Sequence, residues 1–355
     1  MKHGRRYASF ATTVAGMYDH QQGHHGWYVL YQALQVLVRE RCHELVTLLE
    51  DCWDQRPVIS DPHLVTLLGI GIRELGSHSS DIDRLFDAEE DTAKRASVLL
   101  SILDEHGADL AALVSSASNS FTGARRFVVP QMIIGAFAQS RGLDNVRSLD
   151  LGTGLGLLPR QLNNRNLFDR FIGDLACPAG LGFAQIPLTK RHGVDVYPLP
   201  TLEWVRSCFG PSAYYQARYD ELLWSLDESA HCTDLVTLDP LDLLDYQELG
   251  NYIRDHEFNA VTCSFVLYQY GDEVRSEIIG TIVRNMPNPG LFLSMEPSHG
   301  LLQSGCAVLA YEAGSRVPLH VADITDGHFL GEMIAGPGLW RAITGGAMAK
   351  VGPDR

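Results

Sequence analysis

Apolar positions in the first part of the chain fall at helical spacing: Leu30, Leu34, Leu37 and Val38, then Leu45, Leu48 and Leu49, then Leu64, Leu67, Leu68 and Ile72. Side chains three and four residues apart share one helix face, so this pattern predicts an all-helical unit from Trp27 to about Ala138. Its further helical segments fall at 96–103, 109–114 and 127–138, with polar loops at 76–80 and 115–120. Past Arg147 the pattern changes to short β-rich runs alternating with helical stretches, as expected for parallel strands joined by crossovers. The predicted strands are 147–151, 171–175, 235–238, 260–265 and 290–295, with weaker ones near Leu319 and Trp340. The expectation is an α/β fold: a sheet of about seven strands in residues 145–355, preceded by an all-helical cap in residues 1–144. Between the second and third runs, an aromatic-rich stretch near 193–230 carries Trp204, Phe209, Tyr214, Tyr215, Tyr219 and Trp224, and reads as a helical insertion packing its own core.

Composition narrows the partners. A hydrophobic content of 45% with 20% charged residues is that of an ordinary soluble globular protein. The net charge of −15 opposes phosphate backbones and anionic membranes, so no nucleic-acid or membrane partner is expected. A cationic or zwitterionic small molecule suits that charge better. The seven cysteines are scattered and never form a C-x-x-C pair, which points to neither a disulfide framework nor a zinc site. His24 and His25 are adjacent and would leave a helix on different faces, so no metal is expected there. Arg5-Arg6 is followed by Thr12, Thr13 and Tyr18 rather than the leucine-rich core of an export signal, and a cytoplasmic location is expected.

The richest stretch is Asp150-Leu151-Gly152-Thr153-Gly154-Leu155-Gly156, which reads as strand end, glycine turn and helix start. Glycines at every second position admit a ligand where a Cβ would collide, and permit the positive φ of a tight strand-to-helix turn. A dinucleotide fingerprint wants its third glycine three residues after the second, where this chain has Leu157, so a pyrophosphate cradle is disfavoured. The acid followed by three alternating glycines resembles the first motif of class I S-adenosylmethionine (SAM) methyltransferases at all four positions. That resemblance implies a Rossmann-like class I methyltransferase sheet and SAM as cofactor.

The resemblance also assigns roles. A carboxylate at the end of the second strand should meet the ribose hydroxyls: Asp174 answers to this by spacing, and Asp195 is the rival. Asp239, after the third strand, is the expected adenine contact or else a helix cap. Arg125 and Arg126 read either as a fork for the SAM carboxylate or as a surface pair. Tyr268 and Tyr270 follow the fourth strand at the carboxyl edge, where a ring face would stabilise a sulfonium. Glu296 and His299, after the fifth, are candidate bases, and Tyr28 and Tyr31 are cap residues held in reserve for the reaction site.

Over nearly its whole length the order of features is also similar to an uncharacterised bacterial domain family with a degenerate methyltransferase core. The shared pieces are the stretch 26–31 (GWYVLY), an arginine shortly before Pro130, the stretch 193–198 (GVDVYP), and Asp326-Gly327-His328. That family's Trp-Pro signature is missing around Phe209-Gly210-Pro211. Its usually eroded glycine motif is intact here, which argues for SAM binding. Three activities follow as expectations: methyl transfer to a small molecule; ring closure of SAM itself with release of methylthioadenosine, as in the azetidine-2-carboxylate-forming SAM cyclases; or SAM binding without turnover.

Overall fold

A computed structural model describes residues 3–20, 27–76, 82–297 and 305–344. Helices α1 (Gly4–His20), α2 (Trp27–Glu40), α3 (His43–Gln55), α4 (Asp61–Gly76), α5 (Ile82–Leu85) and α6 (Thr92–Ser116) pack on one another, and α7 (Val128–Ser140) leads into the sheet. The apolar stripe read from the sequence is the buried face: Leu30, Leu34, Leu45, Leu49, Leu64 and Leu67 are all buried. Asp91 starts the long α6 by accepting the N–H groups of Ala93 and Lys94, which would otherwise lack intrahelical partners.

The strands are β1 (Val146–Leu151), β2 (Leu175–Ala176), β3 (Leu188–Asp195), β4 (Thr237–Pro240), β5 (Ala260–Ser264), β6 (Leu291–Pro297), β7 (Cys306–Glu312), β8 (Leu319–Ile324) and β9 (Gly331–Ala335). They form a nine-stranded sheet in the order β2-β9-β8-β7-β6-β5-β1-β3-β4. β4, β3, β1, β5 and β6 run parallel, whereas β7, β8 and β9 continue from β6 as an antiparallel meander. After β1 the chain places β3 and β4 on one side, then returns to place β5 and β6 on the other. The strand order therefore reverses at β1, and open α/β sheets bind ligands outside the carboxyl ends of strands at such a point.

Helices α12 (Tyr246–His256) and α13 (Asp272–Asn285) cover one face over Leu149, Leu151, Val261 and Phe292. The cap, α7 and α14 (Leu339–Thr344) share the larger core on the other face. Between β3 and β4, α10 (Leu202–Cys208) and α11 (Ala213–Glu228) carry the aromatic residues of the insertion. These do not form a separate core. Phe209 lies 4.1 Å from Phe121, and Trp204 donates its indole N–H to the Ser118 carbonyl at 2.9 Å, so the insertion is fastened to the cap.

Two predicted strands are corrected. Residues 171–175 hold the end of a helix, α9 (Arg165–Ile172), followed by the two-residue β2 at the far edge of the sheet. The apolar residues Leu167, Phe168 and Phe171 bury one helical face there, and a short apolar run cannot distinguish that from a strand. Trp340 lies in α14 rather than in a strand.

Candidate functional site

At the carboxyl end of β1 the backbone turns through three left-handed glycines: Gly152 (φ 64°), Gly154 (φ 57°) and Gly156 (φ 67°). Each φ disfavours an L side chain, and two of the positions are also sterically closed. A Cβ on Gly152 would lie 2.3 Å from a Val266 methyl, and one on Gly156 would lie 2.7 Å from Leu238. A Cβ on Gly154 would meet only the Thr122 hydroxyl, at 3.3 Å, because this glycine faces an open cleft. The cleft, of about 310 Å³, is walled by β1, β3 and β5 ends on one side and by residues 115–123 of the cap on the other. Asp150, Gly152, Thr153, Gly154, Asp195, Arg126 and Tyr270 all line it.

Asp150 is buried and accepts a hydrogen bond from the Thr262 hydroxyl at 2.7 Å. Burial pushes its carboxyl up to about 7, opposed by hydrogen bonding and by Arg126. Asp195 ends β3, beside β1. Its Oδ2 accepts the Gly154 N–H at 2.8 Å and its Oδ1 accepts the Val196 N–H, also at 2.8 Å. Burial raises its pKa while these two donors oppose the rise. Arg126 is buried with its guanidinium 4.0 Å from the Phe265 ring centre, and its Nη1 donates to the Phe121 carbonyl at 3.1 Å. Its Nε has no hydrogen-bond partner, and burial lowers its pKa to about 10.

The second strand of the parallel core is β3, so the acid at its end is Asp195. The preference for Asp174 is corrected: Asp174 sits on the turn before β2 and pairs with Arg125 at 2.8 Å. Arg125 also leaves the expected fork. It makes a two-pronged contact with Glu221 (3.0 and 2.7 Å) and lies 4.8 Å from the Phe171 ring. Asp239 faces α12, where the Tyr252 hydroxyl donates to it and His192 lies 3.7 Å away. Asp242 lines the cleft instead.

Tyr268 is buried behind the cleft wall, its hydroxyl accepting from Asn119 at 2.9 Å, whereas Tyr270 reaches the cleft. Glu296 is not placed as a base, since its carboxylate accepts the backbone N–H groups of Val266, Leu267 and Tyr268 at 3.3, 3.0 and 3.1 Å. Tyr31 is buried in the cap core, Tyr28 lies on the same helix, and neither lines the cleft. His299, like His24 and His25, lies outside the described residues. Sequence reasoning missed Asn119, Phe121 and Phe265, which line the cleft. A polar loop (115–120) was visible, but nothing local shows which strand end it covers.

Among the described residues, no group of His, Cys, Asp and Glu is arranged to hold a metal ion. Among the described residues no helix is long and apolar enough to cross a membrane.

The reversal of strand order at β1 and the glycine turn that follows it define a class I methyltransferase-like α/β fold, extended by an antiparallel meander. No protein-family model and no curated protein matches the chain. Among solved structures it is similar to an amino pentose methyltransferase of Micromonospora echinaspora, determined with SAM bound: 12% identity, 55% of this chain and 65% of that one, TM-score 0.27. An O-methyltransferase family protein of Burkholderia thailandensis aligns at 13% identity over 64% of this chain and 53% of that one, with TM-score 0.29. A SAM-dependent methyltransferase of Clostridium acetobutylicum aligns at 11% identity over 63% and 79%, with TM-score 0.26. The chain thus spans less than two thirds of the length of the first two. The fold assignment rests on the strand order, not on these alignments.

Proposed function

We propose that the cleft binds SAM and that the protein transfers its methyl group to a small molecule. The observation that carries this reading is the glycine turn at the end of β1, whose central Gly154 faces the cleft and gives its N–H to Asp195 at the neighbouring strand end. SAM fits the residues present. Each Asp195 oxygen keeps a free lone-pair direction after accepting one backbone N–H, so the carboxylate can also accept ribose hydroxyls. Arg126 presents a buried guanidinium with an unpartnered Nε, suited to a carboxylate, and Asp150 supplies the opposite charge for an ammonium. The apolar stretch Leu241, Leu243 and Leu244 offers a surface for adenine. A pyrophosphate is poorly served: the helix after the turn, α8 (Leu157–Gln161), is only five residues long.

When bound, SAM supplies an electrophilic methyl carbon on a sulfonium. The chain's own contribution is to hold and orient. Asp150 and Asp195 place negative charge along the cleft floor, and the aromatic residues Phe265 and Tyr270 line it. Asn119 and the Ser118 and Ser120 hydroxyls on the cap side, and Gln269 from the loop after β5, offer neutral polar contacts for an acceptor.

The test is to incubate pure protein with SAM, alone and with small-molecule acceptors, and to separate the products. S-adenosylhomocysteine formed only with an acceptor supports methyl transfer. Methylthioadenosine and a cyclic imino acid from SAM alone would replace methyl transfer by ring closure. Binding without either product would leave a SAM-binding protein without turnover.

A further inference from the structure

Residues 265–270, which follow β5, are held in the cleft wall by contacts from distant parts of the chain. Phe265, Val266, Gln269 and Tyr270 of this loop line the cleft. Val266 presses on the glycine turn so closely that only a glycine fits at 152. Phe265 sits at φ 57°, a conformation a phenylalanine keeps only under constraint, and its ring is the platform under Arg126. The cap holds the loop from one side: Ser60 Oγ donates to the Tyr268 carbonyl at 2.6 Å, the Ser60 N–H donates to the Gln269 carbonyl at 3.1 Å, and Asn119 reaches the Tyr268 hydroxyl. From the other side β6 holds it twice: the Met295 carbonyl accepts the Phe265 N–H at 2.8 Å, and the Glu296 side chain takes three consecutive backbone N–H groups.

We propose that Glu296 is a positioning residue and a protonation-sensitive latch: its carboxylate, acting through the backbone N–H groups of Val266, Leu267 and Tyr268, fixes the loop that lines the ligand site, and protonation loosens it. The donor set fits an ionised carboxylate, because Oε1 takes two of the N–H groups and Oε2 the third. A protonated carboxyl turns one oxygen into a donor and a much weaker acceptor, so it holds the three N–H groups less tightly. Burial pushes the Glu296 carboxyl up to about 7, so both forms are populated near neutrality. The groups that face it are Arg126 before α7, Cys263 on β5, Tyr268 in the loop, and Cys306 and Tyr311 on β7. Of these only Arg126 is charged at neutral pH, and it favours the ionised form. Asp150 also leans on Arg126, so the two carboxylates share one buried cation.

As a statement about ligand affinity, the proposal rests on SAM being the ligand of the cleft. As a statement about the loop, it does not. Amide hydrogen exchange at residues 266–268 of the ligand-free protein, corrected for intrinsic rate, is compared at pH 8.5 and pH 6 in the wild type and in Glu296→Gln. SAM affinity is measured by calorimetry in the same four samples. The wild type is expected to lose protection at these amides about tenfold on acidification, the scale of a buried charge-assisted hydrogen bond becoming unsatisfied. Glu296→Gln should be poorly protected at both pH values and bind SAM about tenfold more weakly at pH 8.5. The Asp150 carboxylate bonds to Thr262 rather than to the loop, and Glu296→Gln, which keeps Asp150, reads whatever its titration contributes through the shared Arg126. Protection independent of pH in the wild type would overturn the latch, and so would wild-type protection and affinity in Glu296→Gln. Should Glu296→Gln fail to fold, the wild-type pH series decides alone. A wild type that does not bind SAM refutes the functional reading and leaves the exchange result to judge the latch.

Discussion

The three glycines of the turn separate ligand binding from folding. All three have positive φ, so an alanine at any of them costs about 1–2 kcal/mol in backbone conformation. The added Cβ then behaves differently at each site. At Gly152 it would lie 2.3 Å from Val266, and at Gly156 2.7 Å from Leu238, distances that force side chains or backbone to move. Overpacking of this kind costs about 1–3 kcal/mol more. At Gly154 the nearest atom is the Thr122 hydroxyl at 3.3 Å, so the conformational cost stands nearly alone and the methyl projects into the cleft. Gly152→Ala and Gly156→Ala should therefore lose about 2–5 kcal/mol of stability in urea unfolding, the sum of the two costs, against about 1–2 kcal/mol for Gly154→Ala. Calorimetry with SAM should show Gly154→Ala weakened, and Gly154→Val without binding, although both are folded by circular dichroism. Undiminished SAM affinity in a folded Gly154→Val protein would refute the cradle, and a Gly152→Ala protein as stable as the wild type would refute the Val266 contact.

Other substitutions test the remaining assignments. Asp195→Ala should weaken SAM binding by about 1–3 kcal/mol, while Asp174→Ala leaves affinity unchanged because its partner is Arg125 outside the cleft; calorimetry on both reads the difference. The Asp150 carboxyl is raised in the folded state to about 7, so its contribution to stability is fully present below the unfolded carboxyl range and is lost as pH rises through about 7. Asp150→Asn should therefore flatten the fall in ligand-free stability between about pH 4 and 7 and be the more stable form at pH 8, read from urea midpoints across pH. If the Tyr270 ring faces the sulfonium, Tyr270→Leu should lower turnover much more than Tyr270→Phe, whereas substitutions at Tyr268 should act through stability, since that ring is buried behind the wall.

The parts of the molecule set by local rules were legible in the sequence. Helical spacing located the helices that precede β1, and Asp150 with its three glycines located the turn at its end. The second strand was missed because Leu167, Phe168 and Phe171 of α9 bury an apolar face just before Asp174, at the spacing where a strand was sought. β3 reads as Leu188–Asp195 with lysine, arginine and histidine in its middle, and only its neighbours β1 and β4 make it a strand. Arg125 and Arg126 show the same limit at the site. The two are indistinguishable in sequence, yet one is claimed by Glu221 and Asp174 and the other enters the cleft, a choice made by elements 50 to 140 residues away. Glu296 was legible as an acid at a strand end, but not as the acceptor of three N–H groups, because that depends on how the loop after β5 folds back.

Titration calorimetry of the wild-type protein with SAM alone, near pH 8, tests the central claim most directly. Saturable binding at one site per chain, abolished in the folded Gly154→Val protein, is the expected result. Absence of binding at millimolar SAM, or binding that Gly154→Val leaves intact, would contradict the account.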